Sequence, residues 1–339
     1  MNRYGRVAAA LALVIMMTAC TGDPAPSGGP DRTAGPAPSA GSPDPAAIRF
    51  YVDGQGAAAQ EVRRLLREGK AEEAALIRRI ADRPTAVWIG DPDPRARVAE
   101  ITDRARRAGQ VPLLVAYHIP DRDCGQFSAG GAASAEEYRA WIRRFAEGIG
   151  DRPAWVVLEP DALAHILDNC TKGGKAAERL DLLRGAVEEL KKKPGTKVYL
   201  DAGNAGWIRN PGDWVDPMRR AGVATADGFA FNVSNFFTTE ESVAVAGKLS
   251  DALGGAPYVI DTSRNGNGPP RDARGDDAWC NPAGRALGAE PTTKTGRERV
   301  EAFLWVKRPG ESDGECHRGE PAAGTWFHSY ALELARNSR

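Results

Sequence analysis

From Ile48 onward the chain alternates short apolar runs with longer amphipathic stretches, and this alternation restricts its fold more than any other feature. The candidate strands are Arg49–Val52, Ala86–Ile89, Pro112–Tyr117, Trp155–Leu158, Lys197–Leu200, Gly228–Val233, Tyr258–Ile260 and Phe303–Val306. Runs such as Leu113-Leu114-Val115-Ala116 are apolar without a break, as strands covered on both faces are. Helical periodicity fills the intervals at Ala57–Ile80, Pro94–Ala108, Ser134–Gly148, Ala176–Lys192 and Glu240–Leu253. Asp93-Pro94 supplies a cap and a first-turn proline. The pattern predicts a parallel α/β fold. Its repeat count fits a distorted β/α barrel of about seven to eight strands, with the active-site cleft at the strand C-terminal ends. No internal repeat and no second domain is visible in the sequence.

The segment before Ile48 has a different character. Arg3 and Arg6 precede an apolar run, Val7 to Met17, that is too short to span a bilayer as a helix. Thr18-Ala19-Cys20 then puts small residues before a cysteine, as a bacterial lipoprotein signal does. Residues 1–19 are therefore expected to be a signal peptide and Cys20 the lipidated first residue of the mature chain. Residues 20–47, rich in Pro, Gly, Ser and Ala, are expected to be a flexible tether that cannot build a core. Residues 48–339 are then one catalytic domain. Forty-five basic side chains balance 45 acidic ones, so the charge gives no reason to expect a nucleic-acid partner. The only membrane contact expected is the N-terminal lipid, on the outer face of the cell; the alternative is an ordinary signal cut nearby and a fully secreted protein, and in either case a monomer is expected.

Beyond Cys20 there remain Cys124, Cys170, Cys280 and Cys316, an even count in an exported chain, which predicts two disulfides. Three pairings are open, and nearest neighbours give the simplest one, each bridge closing about 40 residues and worth roughly 4 kcal/mol in the chain-entropy model. None lies in a C-x-x-C pair and His118, His165, His317 and His328 show no ligand spacing, so neither a metal nor another cofactor is expected.

Polar residues gather after the strands: His118 to Cys124, Glu159-Pro160-Asp161, Asp201-Ala202-Gly203-Asn204, Asp261 to Pro269, and Lys307 through Glu311-Ser312-Asp313-Gly314. In a parallel barrel these ends share one face. Carboxylates converging there point to acid–base chemistry on a sugar. A single Asp after a strand is at least as often a cap or turn former; five such ends favour a site, with one or two of them structural.

These segments resemble glycoside hydrolase family 6, the inverting endoglucanases and cellobiohydrolases. The resemblance rests on Tyr117 to Cys124, Leu158-Glu159-Pro160-Asp161, Leu200-Asp201-Ala202-Gly203, Asp261 to Pro269, Trp279-Cys280 and Phe303 to Lys307 through Asp313-Gly314, in family order. It implies that Asp161 is the general acid, Asp123 the neighbouring carboxylate that keeps its proton, Asp313 the candidate base, Asp201 an aspartate of the cleft, and Tyr117 a neighbour of the distorted sugar. It implies substrate contacts from Lys307 and Glu311 and stacking from Trp88, Trp207 and Trp279; Asn204, where the family usually has His, and Asn235 join the candidate contacts. It also implies the pairing Cys124–Cys170 and Cys280–Cys316. The reading is an inverting endo-β-1,4-glucanase acting on cellulose or a related β-glucan. The rivals are exo action of the cellobiohydrolase type, a sugar-binding surface lipoprotein without catalysis, and a retaining glycosidase on a common barrel.

Overall fold

The computed structural model describes residues 48–171, 173–270 and 278–338. The expected signal, tether and lipidated Cys20 lie outside these residues. In chain order the elements are α1 (Ala57–Arg67), α2 (Ala71–Ala81), β1 (Val87–Ile89), α3 (Arg95–Arg107), β2 (Leu113–Ala116), α4 (Ala135–Ile149), β3 (Ala154–Leu158), α5 (Ala164–Leu167), α6 (Gly174–Lys191), β4 (Thr196–Asp201), α7 (Gly212–Arg220), β5 (Gly228–Phe231), α8 (Thr239–Ala252), β6 (Tyr258–Asp261), β7 (Val300–Leu304) and α9 (His328–Asn337). The seven strands form one sheet in sequence order, and every pair is parallel. The sheet curls until its ends approach: the Ala86 amide donates to the Trp305 carbonyl at 2.9 Å and the Trp88 indole to that of Val306 at 2.8 Å.

Strand periodicity of two divides the core. Leu114, Ala116, Val156, Leu158, Val198, Leu200 and Phe231 pack under the helices. Their neighbours Leu113, Val115, Tyr117, Trp155, Val157, Tyr199 and Val259 fill a second cluster on the other face. Both faces are thus buried, which is why the strands read as unbroken apolar runs. Helix α4 shows how local chemistry sets an element. Ser134 accepts from the Glu137 amide at 3.1 Å, and Tyr138, Trp141, Ile142, Phe145 and Ile149 form its buried stripe. It stops at Gly150, whose φ is 61°.

Two expectations need correction. Ala57–Ile80 is two helices, α1 and α2, because Gly69 turns the chain at φ 75° between them. Arg49–Val52 forms no strand; Phe50 makes a single parallel bridge to Val111. Among the described residues no helix is long and apolar enough to cross a membrane.

Candidate active site

Each strand of the barrel delivers polar side chains to its C-terminal end, and these fall into two sets. In the first set, buried carboxylates hold the rim together. Glu159, just past β3, accepts from the His118 amide with both oxygens, at 2.9 and 3.0 Å, and from the Ile119 amide at 3.1 Å. Asp201, the last residue of β4, accepts from the Asp161 amide at 2.9 Å and from that of Gly203 at 3.2 Å. Asp261, ending β6, takes amides from both neighbouring loops, Ser234 at 2.9 Å and Lys307 at 2.9 Å, along with Ser263 and Val306. Burial pushes Glu159 and Asp201 up to about 7 against the lowering effect of these amides. Asp201 and Asn204 were both expected in the cleft. Instead they are buried behind its wall, the Asn204 side chain accepting from the Gly206 amide in its own turn.

The second set lines a cleft of about 580 Å³. Tyr117, Asp123, Asp161, Asn235, Lys307, Glu311 and Asp313 all reach it, with Trp88, Trp207 and Trp279. Asp161 is half-buried, and burial first, then the charges of Asp201, Asp123 and Asp168, push its carboxyl well above the ordinary aspartate range. Its backbone has φ 71°, and Asp121, Asp123, Cys124 and Glu159 also have positive φ, between 46° and 54°. Non-glycine residues rarely adopt this region, and runs of them mark places where the surrounding structure dictates side-chain direction.

Asp313 is the opposite case. Burial alone would raise its carboxyl, but the Arg264 guanidinium at 2.7 Å and the Lys307 ammonium at 2.9 Å outweigh that and hold it at about 2. The Asn281 amide also donates to it at 3.0 Å. Arg264 is fully buried, lies 4.5 Å over the Phe236 ring and gives its second amino group to the Ser234 carbonyl. Burial raises the Glu311 carboxyl, opposed by Arg308 and Lys307.

The aromatic lining has one member that the sequence reading did not single out. Phe127 is 47% exposed and meets Trp279 with ring centroids 5.8 Å apart. An aromatic residue in the polar loop that follows Cys124 is the sequence signal that identifies it. Trp207 is 45% exposed, whereas Trp88 is held edge-on to Tyr117 at 5.1 Å with its indole bonded to Val306. His165 and Asp168 also line the cleft. His118 sits behind it, stacked on Trp141 with Nδ1 3.0 Å from the Gly90 carbonyl.

Cys124 is bonded to Cys170 and Cys280 to Cys316, with Cα atoms 6.3 Å apart in each pair. His165 lies beside the first pair and Glu320 beside the second. With their sulfurs in disulfides, neither group offers the thiolates a metal would need.

A parallel barrel whose strand ends present a protonation-biased aspartate, further carboxylates and exposed tryptophans is a fold and site of the glycoside-hydrolase kind. Residues 46–338 match the model for glycosyl hydrolases family 6, and the chain belongs to that family. It is 44% identical over 294 residues to Endoglucanase A of Cellulomonas fimi, covering 86% of this chain and 61% of that protein. It is 38% identical over 310 residues to Endoglucanase 1 of Streptomyces halstedii, covering 88% and 92%. An endoglucanase of Mycobacterium tuberculosis, solved with methyl-cellobiosyl-4-deoxy-4-thio-β-D-cellobioside, superposes with a TM-score of 0.80 at 43% identity, over 86% of this chain and 98% of that one. The chain spans about six tenths of the length of the first two curated relatives, the Cellulomonas protein and Endoglucanase A of Thermobispora bispora, at 61% and 64%.

Proposed function

We propose that this protein hydrolyses β-1,4-glucosidic bonds in cellulose or a related β-glucan, cutting within the chain and inverting the anomeric configuration. The observation that carries the reading is the Asp161 carboxyl, pushed well above its ordinary range by burial and three neighbouring carboxylates, in a cleft lined by Trp88, Trp207 and Trp279. A carboxyl biased toward its protonated form can give that proton to a departing glycosidic oxygen. Indole faces suit the apolar faces of glucose rings. Membership of family 6 and the endoglucanase names of its relatives support both the bond and the endo mode.

In this reading Asp161 protonates the leaving oxygen, Asp123 keeps that proton in place through its charge, and Tyr117 packs beside the sugar at the cleavage point. Water attacks the opposite face of the ring. Asp313 is the candidate base and stands ionised, but its oxygens already accept from Arg264, Asn281 and Lys307. A carboxylate held at about 2 is a weak base, which favours a relay through water that delivers the attacking water's proton to the Asp123 carboxylate over direct abstraction by Asp313. Trp207, Trp279, Asn235, Lys307 and Glu311 contact the glucan. Two disulfides fit an exported protein, and we extend the proposal to a monomer anchored by a lipidated Cys20 through the 20–47 tether.

Incubation with carboxymethylcellulose or mixed-linkage β-glucan tests the activity. The expected result is release of reducing ends with a rapid fall in viscosity. Binding without release would leave a sugar-binding lipoprotein, and soluble disaccharide with slow viscosity loss would indicate exo action.

A further inference from the structure

Helix α6 carries an arginine where its apolar stripe meets the core. Arg179 is 4% exposed, among Leu180, Leu182 and Leu183. Burying a guanidinium is expensive unless its donors are used. Arg179 uses one amino group twice, donating to the Pro120 carbonyl at 2.9 Å and the Asp121 carbonyl at 3.1 Å. Its other amino group has no protein partner, and a cavity of about 20 Å³, enough for one water, lies against the residue. The charges nearest it are Asp121, Glu159 and Asp168, so it stands beneath the junction of the loops that follow β2 and β3.

The segment it grips is the one that turns through positive φ at Asp121, Asp123 and Cys124, with values of 52°, 54° and 49°. Such a path persists only where contacts enforce it. One other tie runs from α6 to this segment, the ion pair of Lys175 with Asp121 at 2.7 Å, but both side chains are more than 60% exposed. An exposed pair is weakened by water and side-chain entropy, whereas hydrogen bonds from a buried charged donor are among the stronger ones a protein makes. The buried arginine is therefore the stronger tie. Two residues beyond the gripped Asp121 carbonyl is Asp123, whose carboxylate accepts from the Ser128 amide at 2.6 Å and whose charge is one of the three that raise Asp161, along with Asp201 and Asp168.

We propose that Arg179 is a positioning residue for catalysis: by holding the Pro120 and Asp121 carbonyls it fixes where the Asp123 carboxylate stands beside Asp161 in the cleft. The inference rests on the proposed role of Asp161. If the unmodified protein releases no reducing ends from β-glucan, that role fails first, before Arg179 is tested at all.

The test is a double-mutant cycle in the full protein, with Arg179→Met, Asp123→Asn and both together. Each is assayed on β-glucan and on a β-cellobiosyl fluoride, whose leaving group needs no proton. A misplacement of about 1 Å can lower a rate on the order of 10²-fold. Arg179→Met is expected to lose activity of this order on β-glucan, in kcat rather than KM, and much less on the fluoride. In the Asp123→Asn background the same substitution should change kcat less than about 2-fold, because the two act as one unit. Arg179→Lys, which can still reach a carbonyl, should recover part of the loss and serves as the cycle partner if the methionine variant does not fold. Losses that multiply independently of Asp123, or that are equal on both substrates, would overturn the proposal and leave Arg179 a packing residue.

Discussion

At the scale of single residues, the rim of the barrel separates carboxylates by what their oxygens already hold. Glu159 and Asp261 accept backbone amides with both oxygens and Asp201 accepts two with one oxygen, while among the described residues none donates to the Asp161 carboxyl. Asp161→Asn is therefore expected to lower β-glucan hydrolysis by about 10²–10⁴-fold while damaging cleavage of an activated fluoride much less. Full polysaccharide activity in the folded variant would remove Asp161 from the acid's role. Asp313→Ala is expected to lose activity by leaving Arg264 and Lys307 without their buried counter-charge, and added azide is expected not to restore it. Azide rescue would instead make Asp313 a direct base. The pins also set a pH dependence. Glu159 and Asp201 are raised to about 7 in the folded state, so between their unfolded values near 4 and about 7 the folded protein holds protons that the unfolded chain has lost. Stability from these groups therefore falls as pH rises through that window. Thermal melts of Glu159→Gln should show a flatter fall than the parent between about pH 4 and 7, and an unchanged slope would contradict the assignment. In the sequence, pins and reactive groups look alike: an aspartate after an apolar run is what both require. Burial and the direction of neighbouring amides distinguish them, and neither is written in the local sequence. The sequence reading allowed one or two structural carboxylates; Glu159 and Asp261 hold the rim with both oxygens, whereas Asp201 holds it with one and leaves the other without a partner among the described residues.

At the scale of elements, six of the eight strand candidates coincide with strands to within about two residues at either end. The two exceptions are instructive. Arg49–Val52 has the composition of a strand but pairs only at Phe50, so its pattern reports burial rather than a ladder. Phe303–Val306 begins three residues late because β7 starts at Val300, in a stretch where Glu301 breaks the apolar run and is held by Lys197 and the Tyr199 hydroxyl. Helices α7 and α9 are not among the expected helices: they are short, at 9 and 10 residues, and α7 contains Pro217, which reads in sequence as a helix breaker. Their stability comes from packing on neighbours, which single-sequence periodicity does not record. The disulfides act at this scale too. Cys124–Cys170 ties the loop after β2 to the link between α5 and α6, and Cys280–Cys316 ties the segments carrying Trp279 and Asp313. They span 46 and 36 residues, loops for which the chain-entropy model gives about 4 kcal/mol each. Reduction should lower the melting temperature, and Cys280→Ser with Cys316→Ser should also lower activity. Mass mapping of the unreduced protein should recover these two pairs; free thiols or a crossed pairing would contradict the assignment.

At the scale of the whole molecule, the curled parallel sheet gathers residues from the ends of β2, β3, β5 and β7 into one cleft, and the pins at Glu159, Asp201 and Asp261 keep those ends in register. The fold follows from the alternation of apolar runs and helical stretches. The cleft follows from the fold, and the proposed chemistry rests on one aspartate in it whose carboxyl is pushed well above the ordinary range by burial and neighbouring charge. In an inverting enzyme the acid stands on one side of the sugar and water attacks from the other, with about 6.5–9.5 Å between acid and base carboxyls to leave room for it. A retaining enzyme would place a nucleophile about 5–5.5 Å from the acid and form a covalent intermediate. Proton NMR of the first product released from a β-1,4-gluco-oligosaccharide, recorded before mutarotation, distinguishes the two directly. The proposed mechanism predicts that the new reducing end appears as the α-anomer; a β-anomer as the initial product would contradict it.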